Sequence, residues 1–145
     1  WEWIMSVTRA QIVAAARGWV GVRWKHQGRS RSGVDCIGLA VCVRAELGLH
    51  HLDACGYGRT AEDERMLDFC RQHMRSVAMA QIQPGDVLVM AQADQRHMAI
   101  VADYPGGGLA LVHAYAGVRS VVEMRLDAVW RARIRGAFAF PEIGD

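Results

Sequence analysis

The sequence predicts an α+β fold in which helices come first and an antiparallel sheet follows. Apolar residues recur at helical spacing in the first half of the 145-residue chain, whereas short β-prone runs separated by turns fill the second half. Helices followed by strands favour this class over a parallel doubly wound sheet. The length suits one hydrophobic core and no linker or repeat divides the chain, so residues 1–145 are predicted to form a single domain.

The first and third predicted helices are marked by their capping and charge patterns. Thr8 followed by Gln11 fits a capping box, and the Ala-rich segment behind it predicts a helix that runs to about Gly18. In "TAEDERMLDFCRQHMR", Thr60 stands at a cap position, with acidic residues in the first turn and basic residues in the last. The Gly-rich segment "GVRWKHQGRSRSGVD" between the first two helices is typical of a loop.

The second predicted helix starts at a cysteine. The segment Cys36 to Leu47, "CIGLAVCVRAEL", is apolar nearly all round and is followed by Gly48, which is typical of a buried helix with a glycine after its end. Asp35 stands at the N-cap position. Cys36 is therefore predicted to lie in the first turn of a core helix.

Five strands are predicted behind the third helix. The runs "PGDVLVMA", "HMAIVADY", "LALVHAYA", "SVVEMRL" and "RIRGAFAF" are β-prone and are separated by turns that contain Gly, Pro or Asp. Their short connections predict an antiparallel sheet.

Composition and charge exclude several classes of protein. The net charge of +2 is small and no nucleic-acid-binding motif is present, so the recurring arginines are assigned to solvated faces. No stretch approaches the roughly 18 apolar residues of a membrane span, and the N-terminal segment lacks the pattern of a signal peptide. Without a regular disulfide framework, free thiols are expected at the four cysteines: Cys36, Cys42, Cys55 and Cys70.

Cys36 is the candidate nucleophile. A thiol attacks as its thiolate, and the unsatisfied N–H groups and dipole at the start of a helix favour a negative sulfur. The same N–H groups suit the oxyanion of a tetrahedral intermediate. Cys42 and Cys70 lie within apolar helical patterns and are assigned to the core, and Cys55 has no evident partner. A structural role for Cys36 remains open at this point.

Two histidines are candidates for the base. His97 opens one predicted strand and His113 lies towards the end of the next, and the turn "YPGGG" joins the two strands. Neighbours on one face of adjacent antiparallel strands approach within about 5 Å, which suits a cysteine, a histidine and a group that orients the histidine. The other histidines are assigned to solvated or capping positions, except His26, which is left unassigned.

A metal site is the alternative for the same residues. Cys36, His97 and His113 are suitable zinc ligands, and "HHLDAC" is a second set of possible ligands. Neither shows a CxxC, HxxxH or HxxEH spacing, so no metal and no other cofactor is predicted.

Four segments together resemble the NlpC-type cysteine peptidases of bacterial cell walls, and specifically the branch found in phage tails and related particles. They are "GVDCIGLAVCVRAELG", "QPGDVLVM", "HMAIV" and "LVHAYAGV". In that family, an Asp-Cys-Ser-Gly-Leu segment carries the nucleophile, a His-x-Gly-Ile segment carries the base, and a following polar residue orients the base. The resemblance implies that Cys36 is the nucleophile, His97 the base and His113 the residue that orients His97. It also implies a reduced papain-like fold with the nucleophile helix packed on the sheet.

This chain departs from the family pattern at three positions. The serine after the cysteine is Ile37, the glycine two residues after the base is Ala99, and the tyrosine of the upstream loop is Trp24. The resemblance implies substrate-binding roles for Trp24, Asp35 and Ile37. Because two hydroxyls are lost, a strict requirement for a free amino end on the substrate is not expected.

The resemblance further implies an endopeptidase that cuts peptidoglycan stem peptides, often between D-glutamate and diaminopimelate. The implied partners are the stem peptides and the proteins of a phage or phage-like tail. The implied location is the tail of a phage or phage-like particle that acts at the cell wall, and the protein is expected to be made in the cytoplasm without a signal peptide. Neither nucleic-acid binding nor membrane insertion is expected. The alternatives are a structural or wall-binding tail module, and an amidase or acyltransferase that uses the same three residues.

Overall fold

The computed structural model describes residues 6–54, 64–92 and 95–145. The helices are α1 (Arg9–Arg17), α2 (Cys36–Glu46), α3 (Arg65–His73) and α4 (Ala128–Ala132), with a short 3₁₀ turn at Met79–Gln81. The strands are β1 (Arg29–Ser30), β2 (Gly33–Val34), β3 (Arg75–Ser76), β4 (Val87–Gln92), β5 (Gln95–Asp103), β6 (Leu109–Tyr115), β7 (Ser120–Arg125) and β8 (Ile134–Ala139).

The predicted starts of the first two helices are confirmed. The Thr8 hydroxyl accepts from the Gln11 backbone N–H while the Gln11 side chain accepts from the Thr8 N–H, which completes the capping box. Asp35 caps α2 by accepting from the backbone N–H of Gly38 at 2.8 Å. The predicted cap of the third helix at Thr60 lies outside the described residues.

Six strands form one antiparallel sheet in the order β3-β8-β4-β5-β6-β7. All five predicted strands belong to it, so the predicted sheet is confirmed. The sixth strand, β3, was not predicted, and its Arg75 falls in the segment predicted as the third helix. Two further short features were also not predicted. The β1–β2 pair lies in the Gly-rich loop, and α4, capped by Asp127, interrupts the chain before β8.

The sheet is buried on both faces, because side chains alternate along each strand. On β5, Met98 and Ile100 join the core that contains residues of α1, α2 and α3, whereas Ala99 and Val101 join a smaller core that contains Trp130 of α4. The site described below lies at the edge where β4 and β6 end and β5 and β7 begin. No helix in the described ranges has both the length and the apolar character needed to cross a membrane.

Candidate active site

The candidate nucleophile is the first residue of α2. Cys36 is partly exposed, and the helix start that carries it is fixed by Asp35, whose side chain is 6% exposed. One carboxylate oxygen accepts from Gly38 and from the Arg29 guanidinium at 3.1 Å, and the other accepts from the Gln27 backbone N–H at 2.7 Å. Both oxygens of Asp35 are therefore engaged within the protein.

Close backbone packing places this helix start against the preceding loop. A Cβ on Gly38 would collide with the carbonyl oxygen of Gly28, so the helix can approach the loop this closely only with glycine at position 38. The glycine two residues after Cys36 thus has a packing role.

The Cys36 thiol is neutral at pH 7. Burial, and then the negative charge of Asp35, raise its pKa from 9.0 to about 12. Hydrogen bonding from the backbone of Met98, Ile37 and Cys36 itself lowers the pKa by less. The expected lowering by the helix start is present but is outweighed, because the sulfur is poorly hydrated and lies next to a carboxylate.

Contact with Met98 places the sulfur beside β5. The β5–β6 ladder runs from Ile100 opposite Val112 to Asp103 opposite Leu109, so Met98 lies two residues beyond its end. Its backbone meets the sulfur where the two strands are no longer paired. The thiol therefore lies next to the residue that follows His97.

The two candidate histidines are hydrogen-bonded to each other. His97 Nε2 lies 2.6 Å from His113 Nδ1. Residue His97 is 7% exposed and residue His113 is 0% exposed. The structure thus brings the two predicted residues together, from adjacent strands. Burial lowers the pKa of His97 to about 3, with a smaller contribution from His113, and lowers the pKa of His113 to about 4. Both rings are neutral at pH 7.

Two aromatic side chains cover this pair, and neither was predicted from the sequence. Tyr115 stacks on His113 with ring centroids 5.3 Å apart, and Trp130 meets His113 edge-on at 5.3 Å and His97 at 6.2 Å. Tyr115 lies two residues after His113 on the same strand face, which is a signal that the sequence contains. Trp130 comes from the unpredicted helix α4.

A methionine completes the surroundings of His113. The thioether sulfur of Met124 lies 2.9 Å from His113 Nε2. In the β6–β7 pairing, His113 is opposite Val122, so Met124 is a diagonal neighbour on the same face. This contact could be found from the sequence only once the register of β6 and β7 was known.

The thiol lies beside the backbone of Met98, the residue that follows His97, and makes no direct bond to the His97 imidazole. Within the described part of the chain, no hydrogen bond joins Cys36 Sγ to His97, whose Nε2 is engaged with His113. His97 Nδ1 is therefore the nitrogen left for exchange of a proton with the thiol.

The predicted substrate-binding residues lie around the helix start. Ile37 is 9% exposed and packs in the main core, and Trp24 is half-buried and pairs with Val34 through a parallel bridge. Trp24 also lines a pocket of about 600 Å³, together with Gly21, Arg23, Ala116, Arg119 and Ser120. His26, which was left unassigned, stacks on Trp24 at 6.5 Å.

The last candidates from the sequence are the other cysteines and a metal site. Cys42 and Cys70 are buried free thiols, and Cys55 lies outside the described residues. Across residues 6–54, 64–92 and 95–145, no three His, Cys, Asp or Glu side chains are grouped so as to hold a metal ion. A thiol at a helix start and two hydrogen-bonded imidazoles are groups that suit acyl transfer.

Comparison with known proteins places this fold in one family. The profile described as "NlpC/P60 family" matches residues 21–138. The NlpC/p60 domain of the peptidoglycan hydrolase SagA has a TM-score of 0.66 at 25% identity, over 92% of this chain and 100% of that chain. An NlpC/P60 family protein from Bacillus cereus has a TM-score of 0.65 at 20% identity, over 92% of this chain and 40% of its own.

A third solved structure, the peptidoglycan hydrolase RipB of Mycobacterium tuberculosis, has a TM-score of 0.57 at 19% identity, over 90% of this chain and 63% of that chain. A search of curated proteins gave no match. Because the family profile covers most of the chain and these structures share its reduced papain-like fold, the chain belongs to the NlpC/P60 family.

Proposed function

We propose that this protein is a cysteine endopeptidase that cuts the peptide stems of peptidoglycan, with Cys36 as nucleophile, His97 as general base and His113 as the residue that orients His97. The observation that carries this proposal is the 2.6 Å bond between the two buried imidazoles, one of which lies on the strand whose residue Met98 meets the Cys36 thiol through its backbone. Membership of a family that includes the peptidoglycan hydrolase SagA supports the substrate class. The bond we expect to be cut joins D-glutamate to diaminopimelate.

The reaction starts from neutral groups. His97 Nδ1 takes the thiol proton as the sulfur attacks the stem-peptide carbonyl carbon, because forming a free thiolate beforehand is disfavoured. The Nε2–His113 bond holds the ring in place and stabilises the imidazolium that forms. Backbone N–H groups at the start of α2 hold the oxyanion of the tetrahedral intermediate.

The second half of the reaction regenerates the enzyme. The imidazolium gives its proton to the leaving amine nitrogen, the C–N bond breaks and a thioester on Cys36 remains. His97 then removes a proton from a water molecule that attacks the thioester, and the thiol is restored as the acid product leaves.

Substrate contacts on one side of the site are assigned to Trp24, Asp35 and Ile37. Trp24 is half-buried and presents apolar surface, whereas Ile37 packs in the core beneath the helix start. Because both stand where hydroxyl groups occur in the related pattern, apolar contact and not hydrogen bonding to an amino end dominates there. Asp35 contributes through the position and field of its carboxylate, whose oxygens are engaged with Gly38, Gln27 and Arg29.

Digestion of purified peptidoglycan tests the activity. Soluble fragments identified by mass spectrometry should carry new ends at the D-glutamyl bond and should disappear in Cys36→Ala. The control Cys42→Ala removes a buried thiol from the same helix and should retain activity. Release of no fragment from any wall type would favour a structural or wall-binding module, and activity that survives thiol alkylation but is lost on chelation would refute the thiol mechanism.

We propose in addition that the protein acts from a phage tail or a phage-like particle, as a single peptidase domain. The resemblance of the cysteine and histidine segments to the tail branch supports this proposal. Mass spectrometry of purified particles from the source strain should recover the chain in stoichiometric amounts, and its absence from every particle fraction would refute the location without bearing on the chemistry.

A further inference from the structure

The pocket beside Trp24 is built from two segments that hydrogen bonds hold together. One wall is the stretch from Gly21 to Trp24 and the other is the β6–β7 turn with the start of β7. The Trp24 N–H donates to the Arg119 carbonyl at 2.9 Å, and the Gly21 N–H donates to the Val121 carbonyl at 2.9 Å. Arg119 has a φ of 62°, an uncommon left-handed conformation for a residue other than glycine. The pocket therefore has fixed walls.

Both charged residues that line this pocket are positive and unpaired. Within the described ranges, the exposed guanidinium groups of Arg23 and Arg119 make no ion pair or side-chain hydrogen bond, and no acidic residue lines the pocket. Other arginines of this protein do find carboxylates, as Arg17 does with Glu123 at 2.9 Å. Two unpaired guanidinium groups on one cavity favour an anionic ligand.

The pocket is connected to the candidate active site on both sides. Trp24 is bridged to Val34, two residues before Cys36, and Ala116 directly follows Tyr115, which stacks on His113. A ligand in the pocket thus lies between the chain segments that carry the nucleophile and the imidazole pair. This position suits part of a substrate whose scissile bond reaches the thiol.

We propose that Arg23 and Arg119 form a subsite for a free carboxylate of the peptide substrate, with Trp24 packing on the adjoining apolar part. This inference rests on the proposed peptidase function and deepens it. Arginine suits the role because its planar guanidinium binds a carboxylate through two parallel hydrogen bonds. The preferred substrates are then acidic stem peptides whose carboxylates are not amidated.

Binding and turnover test this subsite separately. For Cys36→Ala, which leaves the peptide intact, calorimetry should give a Kd about tenfold lower for an acidic stem peptide than for the same peptide with its free carboxylates amidated. Arg23→Gln with Arg119→Gln should abolish that difference, whereas Arg75→Gln, on the far edge of the sheet, should retain it. In the active enzyme the double substitution should raise KM with kcat within about twofold.

Three outcomes separate the two hypotheses. Equal affinity for the acidic and amidated peptides refutes the subsite even when the enzyme cleaves both. Carboxylate-dependent binding without cleavage by the wild type refutes the peptidase and leaves the subsite standing. Binding of inorganic phosphate with higher affinity than the acidic peptide would overturn the assignment to carboxylate.

We also infer, from a separate observation, that Met124 is a positioning residue that selects the tautomer of the imidazole pair. A thioether sulfur carries lone pairs and no proton, so the Met124 contact at 2.9 Å requires the proton of His113 to lie on Nε2. Neutral His113 then accepts at Nδ1, which requires His97 to donate from Nε2. His97 Nδ1 is left with a free lone pair, as a base for the thiol must have.

Nitrogen-15 NMR of histidine-labelled protein tests this inference without any activity. Both His97 and His113 should show the Nε2–H tautomer at pH 7. Met124→Leu removes the acceptor and should give His113 a mixture of tautomers with kcat lowered about tenfold at unchanged KM, whereas Met66→Leu, a buried methionine of α3, should change neither.

Replacing the hydrogen-bond acceptor at position 124 by a donor makes the test sharper. Met124→Lys places a donor at the sulfur position and should move the His113 proton to Nδ1, with a larger loss of kcat. A wild-type His113 that carries its proton on Nδ1, or tautomers unchanged in Met124→Leu, would overturn the inference. The tautomers of His113 can be measured in the wild type and in Met124→Leu even when Met124→Lys does not fold.

Discussion

The reactivity of Cys36 should keep rising with pH far beyond the range in which an ordinary thiol is fully ionised. With a pKa of about 12, its thiolate fraction is about 10⁻⁵ at pH 7, against about 10⁻² for a thiol at 9.0. The rarer thiolate is more nucleophilic by roughly twentyfold, so alkylation should be about fiftyfold slower than for the ordinary thiol. The rate should rise tenfold per pH unit between pH 6 and pH 10.

Iodoacetamide labelling followed by mass spectrometry of the peptide that contains Cys36 measures this rate apart from the other cysteines. Glutathione in the same tube is the reference, and its rate should level off above about pH 9. Asp35→Asn keeps a good helix cap and removes the second-largest cause of the raised pKa, so labelling of Cys36 should be faster at every pH. Asp53→Asn is the matched control, because Asp53 also pairs with Arg29 but does not shift the pKa of Cys36.

A labelling rate that is already constant below pH 7 would refute this reasoning. Such a plateau is the signature of a preformed thiolate paired with an imidazolium. It would mean that His97 is protonated at rest and that attack does not need to wait for proton transfer. Slower labelling in Asp35→Asn would show separately that the carboxylate does not oppose ionisation.

Three further results are expected. The buried imidazoles of His97 and His113 resist protonation, whereas the same side chains in the unfolded chain take up protons below pH 6.5. The free energy of unfolding, measured in urea, should therefore fall by about 5 kcal/mol from pH 7 to pH 4.5. The double substitution His97→Gln with His113→Gln should remove most of this fall. Glu142→Gln removes the carboxylate that pairs with the Arg44 side chain, which is 3% exposed, and should lower the free energy of unfolding by about 3–5 kcal/mol in the same assay. A decrease below about 1 kcal/mol would show that the ion pair is solvated. Gly38→Ala should lower the melting temperature and slow peptidoglycan digestion, since the added methyl group meets the loop backbone; unchanged melting would contradict the close packing.

Local sequence signals predicted the elements that depend on local chemistry. The Thr8 capping box, the Asp35 cap and the β-prone runs between turns each report interactions within a few residues, and all are present in the structure. The helix α4 was not predicted, because five residues are too few to show a helical period and its cap at Asp127 lies in a polar turn.

The candidate catalytic residues could be proposed from the sequence, but their surroundings could not. Cys36, His97 and His113 could be chosen because their types are chemically distinctive and their segments resemble a known pattern. The contacts of Trp130 and Met124 with the imidazoles depend on tertiary packing and strand register, which one sequence does not reveal. The thiol pKa was expected to be low from the helix start alone, and desolvation, a property of the whole fold, reversed its direction.

Side chains alternate between the two faces of the sheet along β5, so the composition of the candidate site depends on the register of this strand. His97 faces Trp130 and Met98 faces the helices, so a slip of one residue would exchange an imidazole for a thioether at the site and bury a polar ring under α2. Such a slip would also leave His113 without its partner. Under the proposed mechanism a misregistered protein lacks its base and is inactive, so the fraction of active molecules in a preparation is expected to equal the fraction with native strand pairing.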